Sequence, residues 1–181
     1  MLRGVTLKLC TQALVFLVAI GHGGATVINR TIDDEFGDSA TGEKPIFLPS
    51  TQGIWAGEEC GGCRVQPDRA LAFKGTWKAA TYRNEEPGGK FTLTGTAIYV
   101  FFITGNQIAG GIITTLTECN FTLDGQQASF YRHIPDQTTI LNYNVLAFSR
   151  ENLPNVDHTL KASTEGVDHH VFVNFDYAIY T

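Results

Sequence analysis

The chain has 181 residues, 13 of them basic and 18 acidic, which gives a formal net charge of -5. An acidic surface repels phosphate backbones, and no basic stripe along the sequence offsets it, so nucleic acid is excluded as a partner. The length is typical of a single domain with its own hydrophobic core.

The N-terminal segment has the organisation of a secretory signal peptide. Basic residues precede an apolar run over residues 9–20, and small residues up to Ala25 follow it. The run is too short to span a hydrocarbon core of ~30 Å, so no membrane anchor is expected. We predict a signal peptide over residues 1–25, one domain over residues 26–181, and a secreted, extracellular protein.

The rest of the sequence is typical of β-structure. Short runs rich in Val, Ile, Thr, Phe and Tyr alternate with clusters of Gly, Pro, Asn and Asp, and no apolar stripe keeps a helical period over three turns. In "TECNFTL" Cys119, Phe121 and Leu123 share one face of a strand. Asp124-Gly125 follows as a hairpin signal. Eight or nine strands are expected, which predicts an all-β, two-sheet antiparallel β-sandwich or jelly roll.

Two segments predict central or long strands. Residues 91–104 are apolar on both faces from Ala97 to Ile103, as in a central strand covered on each side. The last strand, after Glu165-Gly166, alternates strictly. The residues predicted to share one face of this strand are Val171, Val173, Phe175, Tyr177 and Ile179.

The stretch "EECGGCRV" contains a C-x-x-C pair, Cys60 and Cys63. In an oxidising compartment a structural disulfide is expected, since the adjacent carboxylates disfavour a reactive thiolate and too few partners are present for zinc. The pair can close on itself, or one member can reach Cys119 across a much longer loop. The short ring is slightly favoured, with Cys119 left as a buried free thiol.

An acidic cluster, "IDDEFGD", lies near the start of the predicted domain. In many β-sandwiches the first and last strands are neighbours, which would bring Asp33 or Asp34 close to Asp176. Carboxylate oxygens that converge in this way suit a structural Ca²⁺ ion, while the alternative is a solvated acidic loop. His133 and His158 are isolated in the sequence and indicate no site.

Aromatic residues in predicted loops or at strand ends are the candidates for ligand binding, because exposed rings beside polar groups can hold sugars. These candidates are Trp55, Trp77, Tyr82 and Tyr131. Paired carboxylates at Glu58-Glu59 and Glu85-Glu86 could indicate glycoside cleavage, but adjacent residues do not face one another across a bond. A non-catalytic module is therefore favoured over an enzyme.

Two Asn-x-Ser/Thr triplets offer glycosylation sites at Asn29 and Asn120. Both are compatible with secretion. The alternation around Asn120 places its side chain on the outer face of its strand.

Several blocks together resemble the galactose-binding-like β-sandwich proteins of mushroom-forming fungi. The matching blocks are the strand over residues 95–102, the hairpin over residues 121–125, "HTL" over residues 158–160 and the last strand over residues 175–180. The resemblance covers residues 31–181. It implies a jelly-roll sandwich in which acidic residues of the first and last strands hold Ca²⁺. Many members continue into a transmembrane helix; no such stretch follows here, so a free secreted module is expected.

Three functions are compatible with these features. The first is a secreted, non-catalytic module that binds a glycan or cell-wall polysaccharide. The second is a structural module that binds another surface protein. The third is a carbohydrate-active enzyme.

Overall fold

The computed structural model describes residues 28–82, 88–108 and 113–181, with the backbone alone over residues 88–95. The predicted signal peptide lies outside these ranges. In the described part of the chain, no helix is long and apolar enough to cross a membrane. Eleven β-strands are formed there: β1 Arg30–Asp33, β2 Gly37–Asp38, β3 Ile46–Leu48, β4 Lys78–Tyr82, β5 Gly88–Gly95, β6 Ile98–Thr104, β7 Thr117–Leu123, β8 Gln126–His133, β9 Asn142–Arg150, β10 Val156–Ser163 and β11 Val171–Tyr180.

The strands form two antiparallel sheets, which confirms the prediction of an all-β sandwich. Sheet A has the order β2-β1-β11-β6-β9, with β4 also paired to β11, and sheet B has the order β3-β5-β10-β7-β8. The first and last strands are neighbours, as predicted, because β1 pairs with β11.

The main core lies between the two sheets. Both sheets contribute large apolar side chains that are shielded from water, and burial of each such side chain stabilises the fold by roughly 1.5–3 kcal/mol. The inner face of β7 carries Cys119 and Phe121, as the alternation predicted. Other members of this core are Ile32, Ile98, Val100, Phe102, Phe148, Leu160, Val173, Phe175, Ala178 and Tyr180.

The prediction of one strand over residues 91–104 was wrong. The chain turns between β5 and β6, and these two strands belong to different sheets. β6 is nevertheless the buried central strand that its apolar residues indicated, since it lies between β11 and β9. The composition does not reveal this turn, because Thr96 and Ala97 continue the residue types typical of β-strands found on either side.

The predicted face of the last strand was also wrong in its second half. The register between β11 and β6 shifts between Phe175 and Tyr177, so Asp176 is an extra residue in β11. Such a β-bulge changes which side chains point inwards. Tyr177 therefore lies on the outer face, while Ala178 and Tyr180 join the core.

The hairpin after β7 is tied to the neighbouring strand. Asp124 and Gly125 both have positive φ angles, of 52° and 77°, as the tight hairpin turn requires. Asp124 accepts a hydrogen bond from the backbone N–H of Thr159 at 2.8 Å, and its Oδ2 lies 2.7 Å from Nδ1 of His158. The other ring nitrogen of His158 lies 2.8 Å from the carbonyl oxygen of Pro154. Both partners are acceptors, so only the protonated imidazolium donates to both at once.

Stability should depend on the charge of His158. The hydrogen bond with Asp124 is the main cause that raises the pKa of His158 above its ordinary 6.5, with the Pro154 carbonyl next. Because the folded-state pKa is the higher one, the stabilisation is complete below the ordinary pKa and is lost as pH rises through the folded-state pKa. The difference in melting temperature between wild type and His158→Asn should be largest below pH 6.5 and should shrink over the pH range above it. A difference that is constant over this range would contradict the role of the imidazolium.

Candidate functional site

A long segment, residues 49–77, covers the outer face of sheet A. Its last part packs Ala72 and Trp77 on Ile103 of β6 in a second hydrophobic cluster. Phe73 stacks on Tyr177 with ring centroids 4.3 Å apart. The outer face of β11 is therefore buried too, and every residue of β11 from Val171 to Ala178 is shielded from water.

Along one edge of β11, two strands lie end to end. β1 pairs with the second half of β11, where Asp33 is opposite Tyr177, and β4 pairs with the first half, where Lys78 is opposite Phe175. Asp176, the bulged residue, lies at the junction and is paired with neither strand. The junction thus places a carboxylate between the ends of two strands on one edge of β11.

Three carboxylates lie at or next to this junction, and we call them the acidic seam: Asp33, Asp34 and Asp176. Their exposed fractions are 0%, 3% and 0%. Oδ1 of Asp33 accepts hydrogen bonds from the backbone N–H groups of residues 35 and 36, at 2.9 and 2.7 Å, and from the Thr76 hydroxyl at 3.3 Å. Oδ1 of Asp176 accepts one from the N–H of Phe73 at 2.9 Å.

Four carboxylate oxygens of the acidic seam have no hydrogen-bond partner in the described structure. They are Oδ2 of Asp33, Oδ2 of Asp176 and both oxygens of Asp34. Buried polar atoms are almost always paired, and buried carboxylates especially so, since their desolvation is costly. These oxygens therefore lack the hydrogen bonds that usually compensate the burial of a carboxylate.

The electrostatics of the acidic seam agree with this view. Burial raises the pKa of Asp34 to about 7, and the charge of Asp33 adds to the effect; Lys78 opposes it, and so does the nearby Thr76 hydroxyl, whose hydrogen bond within 3.5 Å is made to Asp33 and not to Asp34. Burial likewise raises the pKa of Asp176 to about 7, with the Phe73 N–H opposing it. At neutral pH this group of carboxylates favours either a proton or a cation.

The carboxylates alone do not form a complete metal centre. Within the described ranges, no group of three or more His, Cys, Asp or Glu side chains is arranged to hold a metal ion. Ca²⁺, however, takes six to eight oxygen ligands, which include amide and backbone carbonyl oxygens. The oxygen chemistry of the acidic seam fits a hard cation, and ligands other than carboxylates would have to complete it.

A cavity of about 480 Å³ opens beside the first halves of β4 and β11, and we call it the disulfide cavity. Its volume lies within the usual range of ~300–1,000 Å³ for small-molecule sites. Cys60 and Cys63 form a disulfide in one wall, which confirms the short ring, and Cys119 is a buried free thiol. Gln66 fixes this wall because its Nε2 donates to the carbonyl oxygens of both cysteines, each at 2.8 Å.

The four predicted ligand-binding aromatic residues are not brought together. Trp77 lines the disulfide cavity, although only 4% of it is exposed. Trp55 packs on Phe47 and donates its indole N–H to the Leu48 carbonyl at 3.2 Å. Tyr82 is buried at the end of β4, and Tyr131 packs against the main core. The four rings do not form a common exposed platform.

The remaining predicted residues have separate positions. Glu58 lies 3.5 Å from Arg69 in an ion pair, and Glu59 lies beside the backbone of Gly57. Glu85-Glu86 lies outside the described residues. Asn29 is exposed just before β1, and the half-buried Asn120 donates its amide to the Glu165 carbonyl at 3.0 Å.

Sequence reasoning missed several residues at these sites. Asn174 is fully buried on β11, and neither atom of its amide has a partner in the described structure. It precedes Asp176 by two positions, so the two share a face before the bulge. An Asn on an otherwise apolar strand was the available signal. No comparable signal marks Gln66, which is a polar residue between Val65 and Pro67.

No protein-family model and no curated protein matches the chain. Among solved structures, it is similar to the Agl-KA catalytic domain (10% identity, TM-score 0.46) over 87% of this chain and 28% of that chain. It is also similar to the CBM36-1 domain of a multidomain xylanase from the hindgut metagenome of Trinervitermes trinervoides (12% identity, TM-score 0.35), over 57% and 76% of the two chains.

A third similar structure is the cycloisomaltooligosaccharide glucanotransferase of Paenibacillus sp. in complex with cycloisomaltoheptaose. The identity is 16% and the TM-score 0.37, over 55% of this chain and 16% of that chain. This chain thus spans a small part of two of the three structures. Likenesses at this level carry no argument about ligand or activity, and the fold assignment rests on the sheets described above.

The turn that positions the acidic seam depends on Gly37. It has a φ of +73°, and a Cβ there would lie 2.7 Å from the carbonyl oxygen of Glu43. Gly125 has a similar φ of +77° with no atom within 4 Å, so it is a matched control. Gly125→Ala should cost about 1 kcal/mol, the usual penalty of a left-handed non-glycine residue. Gly37→Ala should cost at least about 2 kcal/mol in denaturant unfolding, because backbone must also move. Equal costs would contradict the close contact.

Proposed function

We propose that this chain is a secreted, non-catalytic β-sandwich module that binds carbohydrate in the disulfide cavity. The observation that supports this proposal best is a cavity of ligand size whose walls are already fixed by covalent and hydrogen bonds. A preformed site loses less conformational entropy on binding, which favours affinity for a small polar ligand.

The cavity presents the mixture of groups that a sugar requires. Trp77, Ala79 and Phe172 supply apolar surface. Thr81 and Thr114 supply hydroxyl groups. Sugars have apolar C–H faces as well as hydroxyl groups, so a wall of this composition can pair with both.

We also propose that Ca²⁺ binds at the acidic seam. The unpartnered oxygens of Asp33, Asp34 and Asp176 support this second site. When bound, the ion would neutralise carboxylates that are otherwise costly to bury together. The same carboxylates hold Phe73 and Thr76 by hydrogen bonds, and the chain passes directly from Thr76 to Trp77 in the disulfide cavity. Ca²⁺ at the acidic seam would therefore stabilise one wall of the cavity.

Filling the disulfide cavity should abolish glycan binding. Thr81 is an exposed strand residue that lines the cavity, so Thr81→Trp should block it without disturbing the core. Ser149→Trp, on the exposed part of β9, is the matched control. In a pull-down with a panel of cell-wall polysaccharides and a glycan array, wild type and Ser149→Trp should bind the same glycans. Thr81→Trp should bind at least about tenfold more weakly. Failure of wild type to bind any glycan would reject the proposal.

Ca²⁺ should raise the melting temperature of the protein relative to chelator. At about 100 times the dissociation constant, a bound ion adds about 2.7 kcal/mol, which corresponds to a shift of about 5–10 °C for a domain of this size. Asp34→Asn should abolish the shift, because it removes a carboxylate with two unpartnered oxygens.

The matched control is Glu43→Gln, which changes an exposed carboxylate and should retain the shift. In chelator, Asp34→Asn should be at least as stable as wild type, because the substitution removes a buried charge beside Asp33. No shift of wild type with Ca²⁺ would refute the cation site. A large loss of stability of the variant in chelator would assign Asp34 a purely structural role.

A further inference from the structure

A second cavity, which we call the adjoining cavity, lies next to the disulfide cavity. Its volume is about 470 Å³. Ile113 and Thr114 line both cavities, so the two are direct neighbours. Leu116, which follows them and lines the adjoining cavity, accepts a hydrogen bond through its carbonyl oxygen from the N–H of Phe172 at 2.8 Å, and Phe172 lines the disulfide cavity.

The adjoining cavity is lined mainly by polar side chains. Exposed members include Gln107, Asp136, Gln137 and His170, while Pro135 and Leu116 supply apolar surface. These groups both donate and accept hydrogen bonds, and none of them requires a charged ligand. Such a set suits a neutral ligand that carries many hydroxyl groups.

The floor of the adjoining cavity is preformed. The buried side chain of Asn106 accepts a hydrogen bond from the N–H of Asp136 at 3.1 Å and donates to the Ile140 carbonyl at 3.0 Å. Asp136 in turn accepts from the N–H and hydroxyl of Thr138, at 2.7 and 2.6 Å. The loop that carries Asp136 and Gln137 is therefore fixed without a ligand.

We propose that the two cavities form one extended groove for a linear oligosaccharide or polysaccharide chain. The terminal or central sugar units would occupy the disulfide cavity, and the neighbouring units would occupy the adjoining cavity. This inference rests on the proposed function and specifies its ligand class. Each further unit adds contacts in the adjoining cavity, so affinity rises with chain length until both cavities are occupied.

A sugar chain fits this groove better than an extended peptide. Peptides commonly bind by adding a strand to a free sheet edge. At the disulfide cavity the outer edge of β4 is occupied at Ala79, since Ala56 and Ala79 exchange two backbone hydrogen bonds of 2.8 Å. These backbone groups are already paired, so a peptide strand could not form hydrogen bonds with them. The polar side chains of the groove, in contrast, can form hydrogen bonds with the hydroxyl groups of a sugar.

Chain length separates this proposal from the proposed function. Using the sugar class that wild type binds, we would measure affinity for the disaccharide and hexasaccharide by calorimetry. Wild type should bind the hexasaccharide at least about tenfold more tightly than the disaccharide. The double variant Gln137→Ala/His170→Ala should lose this gain and keep wild-type affinity for the disaccharide. Thr81→Trp should lose both ligands.

Each outcome has a definite meaning. If wild type binds the disaccharide and the hexasaccharide with equal affinity, the extended groove is wrong and the proposed function remains intact. The same conclusion follows if the double variant keeps the full gain in affinity from disaccharide to hexasaccharide. If neither length binds, the proposed function itself fails. If a peptide binds in competition with the hexasaccharide, the groove is a protein-binding site and the proposal of a sugar chain is wrong. Far-ultraviolet circular dichroism establishes that the double variant, which changes two exposed side chains, remains folded.

Discussion

The hydrogen-bond ladders of β11 determine where the other features of the molecule lie. This strand pairs with β6 along one edge and with β1 and β4 along the other, and both of its faces are buried. A strand that pairs with two other strands along one edge must have a junction between those two strands. The junction coincides with a bulge, and the bulged residue is Asp176. A carboxylate at this position is removed from water, and its Oδ1 accepts the Phe73 N–H while its Oδ2 is left without a hydrogen-bond partner in the described structure.

Local patterns in the sequence were sufficient for the fold class. Alternation in β7 identified the core residues Cys119 and Phe121, and Asp124-Gly125 identified the hairpin, because both features depend only on neighbouring residues. The short disulfide was favoured for the same reason. Errors arose where pairing between distant strands decides the outcome. The turn between β5 and β6 and the bulge in β11 are set by which sheet each strand joins, and strict alternation contains no information about that choice.

The candidate site was predictable to a smaller extent. The acidic residues of the first and last strands were named because neighbouring termini are common in β-sandwiches, and the structure brings them together. The disulfide cavity was not foreseen, since its wall is made by a segment without regular structure that folds over sheet A. Aromatic residues were chosen by type, but burial depends on the tertiary contacts of each ring. His158 was judged isolated, yet its partner Asp124 lies in another of the blocks that carried the resemblance.

The pairing of β1 with β11 also determines how this domain can be joined to anything else. Arg30 lies opposite Tyr180, so chain segments attached before β1 and after β11 leave from the same end of the sandwich. Val171, at the other end of β11, lies opposite Tyr82 beside the disulfide cavity. Ten strand residues separate the two ends of β11, which corresponds to roughly 30 Å. A surface, tag or second domain attached directly at β1 or β11 would therefore lie at the end of this strand pair that is remote from Val171 and Tyr82.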